Sequence, residues 1–169
     1  MNVLRRLERV VASHELLLIS KNDLRVLPVS EILSKLHHGQ LMMINSRKRN
    51  GLILVKSFHA EFAGPGSAIG GEFDRDCQDI IPVGDLSVVE PASQEECQKA
   101  YLIRRQWIQL IQQITGDELP DDRVKRILQQ FENYFAVDTV TGLPDEAFAL
   151  LVGVFPRTVN RVRGIASSS

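Results

Sequence analysis

One stretch near the end of the chain admits few conformations: Thr141-Gly-Leu-Pro-Asp-Glu-Ala-Phe-Ala-Leu-Leu-Val-Gly-Val-Phe-Pro-Arg-Thr-Val-Asn-Arg-Val-Arg163-Gly164-Ile165. Pro144 can take a first helical position, and Asp145 and Glu146 then favour the positive end of the helix dipole. Phe148, Ala149 and Val152 fall on one apolar stripe. Gly153 can take the left-handed conformation of a sharp turn, and Pro156 can restart a helix with Val159 and Val162 on its apolar face. Arg157, Asn160, Arg161 and Arg163 point elsewhere. Two helices at a steep angle, the second polar and basic on its free face, form a helix-turn-helix, whose second helix enters the DNA major groove.

The spacing suits that geometry. Ala149 lies four positions before the turn glycine, where closely crossing helices need a small residue. Val152 and Val154 flank the glycine, and Val159 and Val162 follow six and nine positions beyond it. Phe155 departs from the pattern, because a small polar residue is more usual in the turn. The alternative is an ordinary helical hairpin closing the domain.

At 169 residues the chain suits one ordinary domain, or two small ones sharing an interface. An apolar fraction of 44% can fill a core. Net charge is −1, so DNA attraction must come from local clusters. Arg157, Arg161 and Arg163 form one. Arg47-Lys48-Arg49 forms another, which reads better as a solvated hairpin tip. The two cysteines, Cys77 and Cys97, have no metal-ligand spacing. The beginning of the chain is a charged amphipathic segment rather than a signal peptide, and no run is long enough to span a membrane. The expectation is a soluble, cytoplasmic protein.

Periodicity predicts a helix over 2–12 and short strands over 15–20 and 23–28. It also predicts a helical turn capped by Ser30 and reaching about His37. Residues 39–45 and 51–58 flank the basic loop and predict a β-hairpin. The segment 64–71 is rich in glycine and reads as tight turns. Ile80, Ile81 and residues 86–90 predict closing strands. After Pro91-Ala-Ser93, the recurrence of Ala100, Ile103, Trp107, Leu110, Ile111 and Ile114 predicts one long helix. Another opens at Pro120, and a polar bend over 138–142 leads to the helix-turn-helix. The fold class expected is α+β. A β-rich, sensor-like domain spans 1–93, a connecting helix 94–116 and a helical domain 117–169. The stripe Ala100, Ile103, Trp107, Leu110 and Ile114 predicts a homodimer through the long helix.

In this order the chain resembles the Crp/Fnr family of bacterial transcription regulators. There a β-roll related to cyclic-nucleotide-binding domains precedes a dimerisation helix and a DNA-reading domain. Gly153-Val-Phe-Pro-Arg-Thr-Val-Asn-Arg161 is similar to the family's Gly-x-x-x-x-Thr-Val-x-Arg. Gly39-Gln-Leu-Met-Met-Ile resembles a strand of the roll, and Asp85-Leu-Ser-Val-Val-Glu90 its last strand. Gly64-Pro-Gly-Ser-Ala-Ile-Gly-Gly-Glu-Phe73 looks like its glycine-rich turn, where Gly and Glu sit beside the ligand pocket. Two features depart. The Arg-Ser pair that holds a cyclic phosphate is missing around residues 80–85, so no cyclic nucleotide and no other cofactor is expected. The β-hairpin wing does not follow the second helix, which implies a degenerate regulator.

No catalytic constellation stands out, so an enzyme is not expected. Residues 64–71 lack the Gly-Lys-Ser/Thr of a phosphate loop. His37 and His38 face different ways on a helix, and no metal site is expected. Asp74, Asp76 and Asp79 alternate as in a calcium loop but lack its glycine and glutamate, so a solvated loop is expected. Tyr101 and Trp107 read as packing residues of the long helix. The DNA-contacting set is Arg157, Thr158, Asn160, Arg161 and Arg163, with helix-start amides near Arg157 and Thr158 holding a phosphate. The competing reading is an interaction adaptor whose C-terminal helices dock on a protein partner, which suits the neutral charge, the absent wing and Phe155.

Overall fold

A computed structural model describes residues 27–167. The helix expected over 2–12, the strand over 15–20 and most of that over 23–28 lie outside the described residues. The architecture is α+β: two small antiparallel sheets, then a helical half.

Helix α1 (Val29–His37) turns Ile32 and Leu36 inward. It starts one residue before Ser30 and carries no side-chain cap, so Ser30 does not cap it. Strands β1 (Met42–Ile44), β4 (Ala68–Ile69) and β6 (Val88–Val89) form one sheet in the order β4-β1-β6. Strands β2 (Gly51–Val55), β3 (Ala60–Ala63) and β5 (Asp79–Val83) form the other, in the order β3-β2-β5.

The β1–β2 hairpin expected from the sequence is therefore not formed, and the two strands lie in different sheets. Local polar contacts explain the switch. Asn50 donates through Nδ2 to the Asn45 carbonyl, at 3.0 Å, and accepts through Oδ1 from the Ser87 amide, also at 3.0 Å. These bonds fold the basic loop over and hand the chain to the second sheet. The Arg47-Lys48-Arg49 tip is exposed, as expected. β2 instead makes its hairpin with β3, in the register Leu52↔Ala63 to Val55↔Ala60.

β2 is covered on both faces, and alternation sorts its residues. Leu52 and Leu54 join Ile32, Leu36, Met42, Ile44 and Ile69 in a core filled between the sheets. Ile53 faces the other way and joins Phe62 and Val83 in a larger core with the helices.

Helix α2 (Gln94–Thr115) begins where expected. The Ser93 side chain accepts from the Glu96 amide at 3.1 Å, and Glu96 reaches back to the Ala92 amide. Helices α3 (Pro120–Tyr134), α4 (Val137–Thr141), α5 (Asp145–Val152) and α6 (Pro156–Ser167) follow. The expected polar bend is the short α4. Pro144 is the N-cap of α5 rather than its first helical residue.

The expected boundary after residue 93 coincides with the start of α2, and the larger core runs across it. Phe62 of β3 meets Trp107 of α2 edge-on at 4.8 Å and Phe131 of α3 at 4.9 Å. Ala100, Ile103, Trp107, Leu110 and Ile114 are all buried within this chain. This corrects the dimerisation reading of that stripe. Its periodicity reflects packing on the chain's own sheet and helices, so this stripe is not available to a second copy.

Candidate nucleic-acid interface

The turn between α5 and α6 has the expected geometry. Gly153 is left-handed, at φ 67° and ψ 48°. The Val154 amide donates to the Ala149 carbonyl at 3.1 Å, the long bond of a Schellman-type stop. Pro156 then opens α6, where a missing N–H has no cost. Val159 and Val162 are buried against α3 and α5, while Arg157, Asn160 and Arg161 are exposed together.

The five residues expected to contact DNA do not share one fate. Arg157 lies over the Phe155 ring at 5.1 Å and has no carboxylate partner among the described residues. Asn160 donates to Asp145 at 3.2 Å, and Arg161 pairs with Asp121 at the start of α3. Both are exposed but carry intramolecular partners. An exposed pair of this kind is worth about 0–1 kcal/mol, so a phosphate or a base edge can compete for Arg161.

Thr158 and Arg163 are corrections. Thr158 is buried, and its amide already donates to the Phe155 carbonyl at 2.9 Å. Neither its side chain nor its amide is free for a phosphate. Arg163 turns back into the protein. Its guanidinium donates to the carbonyls of Leu143 and Val140, each at 2.8 Å, and to Asp145 at 2.7 Å, and it lies 5.0 Å from the Phe148 ring centre. Its role is to pin α6 to the α4–α5 turn. The reason is tertiary: the Val140 and Leu143 carbonyls lie at and just beyond the end of α4, where the continuing helix no longer supplies a regular run of amide donors.

A second cluster was not expected from the sequence. Arg104 of α2, buried, donates through Nη1 and Nη2 to the two carboxylate oxygens of Asp74, both at 3.1 Å, and through Nη2 to Glu61. Lys56, also buried, lies 3.2 Å from Asp74 and pairs with Asp76. Burial works against both cations. The carboxylates outweigh it, Asp74 and Glu61 at Arg104 and Asp76 and Asp74 at Lys56, and raise both pKa values above the ordinary ones. The hydrogen bond from Lys56 holds the Asp76 carboxyl below its usual range.

Asp74 is thus a buried anchor, not part of a solvated loop, while Asp76 and Asp79 are exposed. One sequence signal could have revealed the cluster. Arg104 occupies the inward stripe of α2 four residues after Ala100 and three before Trp107, where a charge needs a partner. Tyr101 is likewise no core residue. It stands at the surface beside Phe73, with ring centres 6.3 Å apart.

Among the described residues no helix is long and apolar enough to cross a membrane. No protein-family model and no curated protein matches the chain.

Proposed function

We propose that the chain is a DNA-binding transcription regulator in which α6 reads the major groove. The observation that carries this reading is the left-handed turn at Gly153. It sets α6 across α5 with Val159 and Val162 inward and Arg157, Asn160 and Arg161 outward. Arg157, with no carboxylate to leave, is the guanine reader of choice. Asn160 suits adenine, and Arg161 engages once it leaves Asp121. The arrangement has the order of a Crp/Fnr regulator with a degenerate sensor half, working in the cytoplasm without catalysis. Two recognition helices on successive grooves would require a homodimer. With the inner stripe of α2 buried, that dimer would have to use its outer face, where Leu102 is 58% exposed.

A second reading, a protein-interaction adaptor, has its own support. Phe155 in that turn and Leu119 at the start of α3 are 68% and 62% exposed, and carboxylates already hold two of the three arginines. A mobility-shift titration against genomic fragments at two salt concentrations separates the readings. Under the DNA reading, Arg157→Ala or Arg161→Ala loses about 1–3 kcal/mol on a specific duplex and relaxes preference at one base. No shift by the native chain at low salt would leave the adaptor.

A further inference from the structure

The exposed side chains of α6 are not equally free. Arg157 lies over the Phe155 ring and has no carboxylate partner among the described residues. Arg161 donates through Nη2 to Oδ1 of Asp121. Asn160 donates to one oxygen of Asp145 at 3.2 Å, and the other oxygen holds Arg163 at 2.7 Å. Asp121 lies in the first turn of α3 and Asp145 in that of α5, where the helix dipole favours a negative charge. Asp145 is committed to the Arg163 clamp. Asp121 is the carboxylate whose part on this face is Arg161 alone.

The fold itself places this contact. The Arg123 guanidinium donates through Nε to the Asp117 carbonyl at 2.5 Å and through Nη1 to the Gly153 carbonyl at 3.3 Å. It ties the start of α3 to the left-handed turn from which α6 departs. Val124 and Ile127 of α3 share one core with Val159 and Val162 of α6. Asp122, the next residue of the same turn, bears the same charge but meets Lys125 of its own helix, at 4.0 Å. Of the two carboxylates, Asp121 is the one that reaches across to α6.

The pair faces competition when DNA approaches. Arg161 is 60% exposed and Asp121 40%, so water screens the contact, and it shifts an equilibrium constant by about one- to fivefold. A phosphate oxygen offers Arg161 the same charge in the same solvent. Taking it leaves Asp121 unpaired beside a polyanion, so the exchange gains little. A guanine in register presents O6 and N7 together, and the planar guanidinium meets both at once. Arg161 therefore leaves the carboxylate for a base edge more readily than for the DNA backbone.

We propose that Asp121 is an autoinhibitory counter-ion of α6, which withholds Arg161 from sequence-independent phosphate contacts and restrains DNA binding by the chain. This rests on α6 being the major-groove helix and adds the contact that regulates it.

The test is titration of a random-sequence duplex with the full chain and its variants at several salt concentrations. Asp121→Asn should bind about two- to fivefold more tightly at low salt. Its plot of log K against log salt should steepen by about 0.9, the mark of one further phosphate contact. Asp122→Asn loses the same charge from the same turn and should keep the native slope, as should Asp121→Glu. The gain of Asp121→Asn should vanish when Arg161→Gln is added. Both asparagine variants remove one first-turn carboxylate from α3, so their urea midpoints should move alike. An unchanged slope in Asp121→Asn, an equal gain in Asp122→Asn, or a gain that survives Arg161→Gln would overturn the proposal and leave α6 as a DNA reader. Weaker binding by Asp121→Asn would also overturn it, because the carboxylate would then orient Arg161 rather than withhold it. No binding by either the native chain or Asp121→Asn would remove the DNA reading and the proposal together.

Discussion

Replacing Gly153 by alanine isolates the backbone requirement of the α5–α6 turn. The glycine sits at φ 67° and ψ 48°, and a Cβ built there meets nothing within 4 Å. The cost is therefore conformational alone. A left-handed L-residue costs about 1–2 kcal/mol, and alanine's smaller unfolded-state entropy offsets about 0.4–1 kcal/mol of it. The net loss is about 1 kcal/mol, and Gly153→Asn should lose less, because asparagine tolerates this region better. Gly70 provides the contrast. Its φ is also positive, at 89°, but a Cβ there would lie 1.8 Å from the Gln40 carbonyl oxygen. Backbone would have to move, so Gly70→Ala should cost several times more, about 3 kcal/mol or above. Urea unfolding measures both: the Gly153→Ala midpoint should fall slightly with an unchanged slope. Equal losses at the two positions, or none at Gly153, would refute the claim that the turn needs glycine for its φ alone.

Two further outcomes follow from buried contacts. Arg163→Ala should lower stability by about 1–3 kcal/mol, because carbonyls of the α4–α5 turn and Asp145 lose a charged donor. If it instead weakened DNA binding with an unchanged urea midpoint, its assignment as a clamp would be wrong. Burial pushes the Cys77 thiol from its ordinary value of 9.0 up to about 11. The folded pKa is the higher one, so the unfolded chain releases this proton first as pH rises. The associated stability is complete below pH 9.0 and is lost as pH rises toward about 11. Urea midpoints of the native chain and Cys77→Ala, compared across that window, should show a shallower decline in the variant. Parallel declines would exclude the thiol as a contributor.

What the sequence determined by itself is the part written in short-range chemistry. The α+β order, the start of α2 at Ser93, the opening of α3 at Pro120 and the stop at Gly153 were all legible. Each depends on neighbours within a turn: a cap, a proline φ, a left-handed glycine, or an apolar stripe of period 3.6. The outward face of α6 was legible for the same reason, since helical geometry alone separates Arg157, Asn160 and Arg161 from Val159 and Val162. Only the tertiary structure decided who the partners are. The apolar pattern of β1 and β2 fits a hairpin as well as strands of two sheets, and the Asn45–Asn50–Ser87 contacts choose between them. The stripe of α2 shows that one face is buried but not whether a second chain or the same chain buries it. Arg163 and Arg161 are the same residue type two positions apart. One meets backbone carbonyls some twenty residues away and the other meets an exposed carboxylate. Arg104, Asp74 and Glu61 are separated by 30 and 43 positions from Arg104 and form one buried cluster. Periodicity reports that a side chain leaves water. The identity of what it meets depends on chain segments distant in sequence, brought together by the free energy of the whole fold.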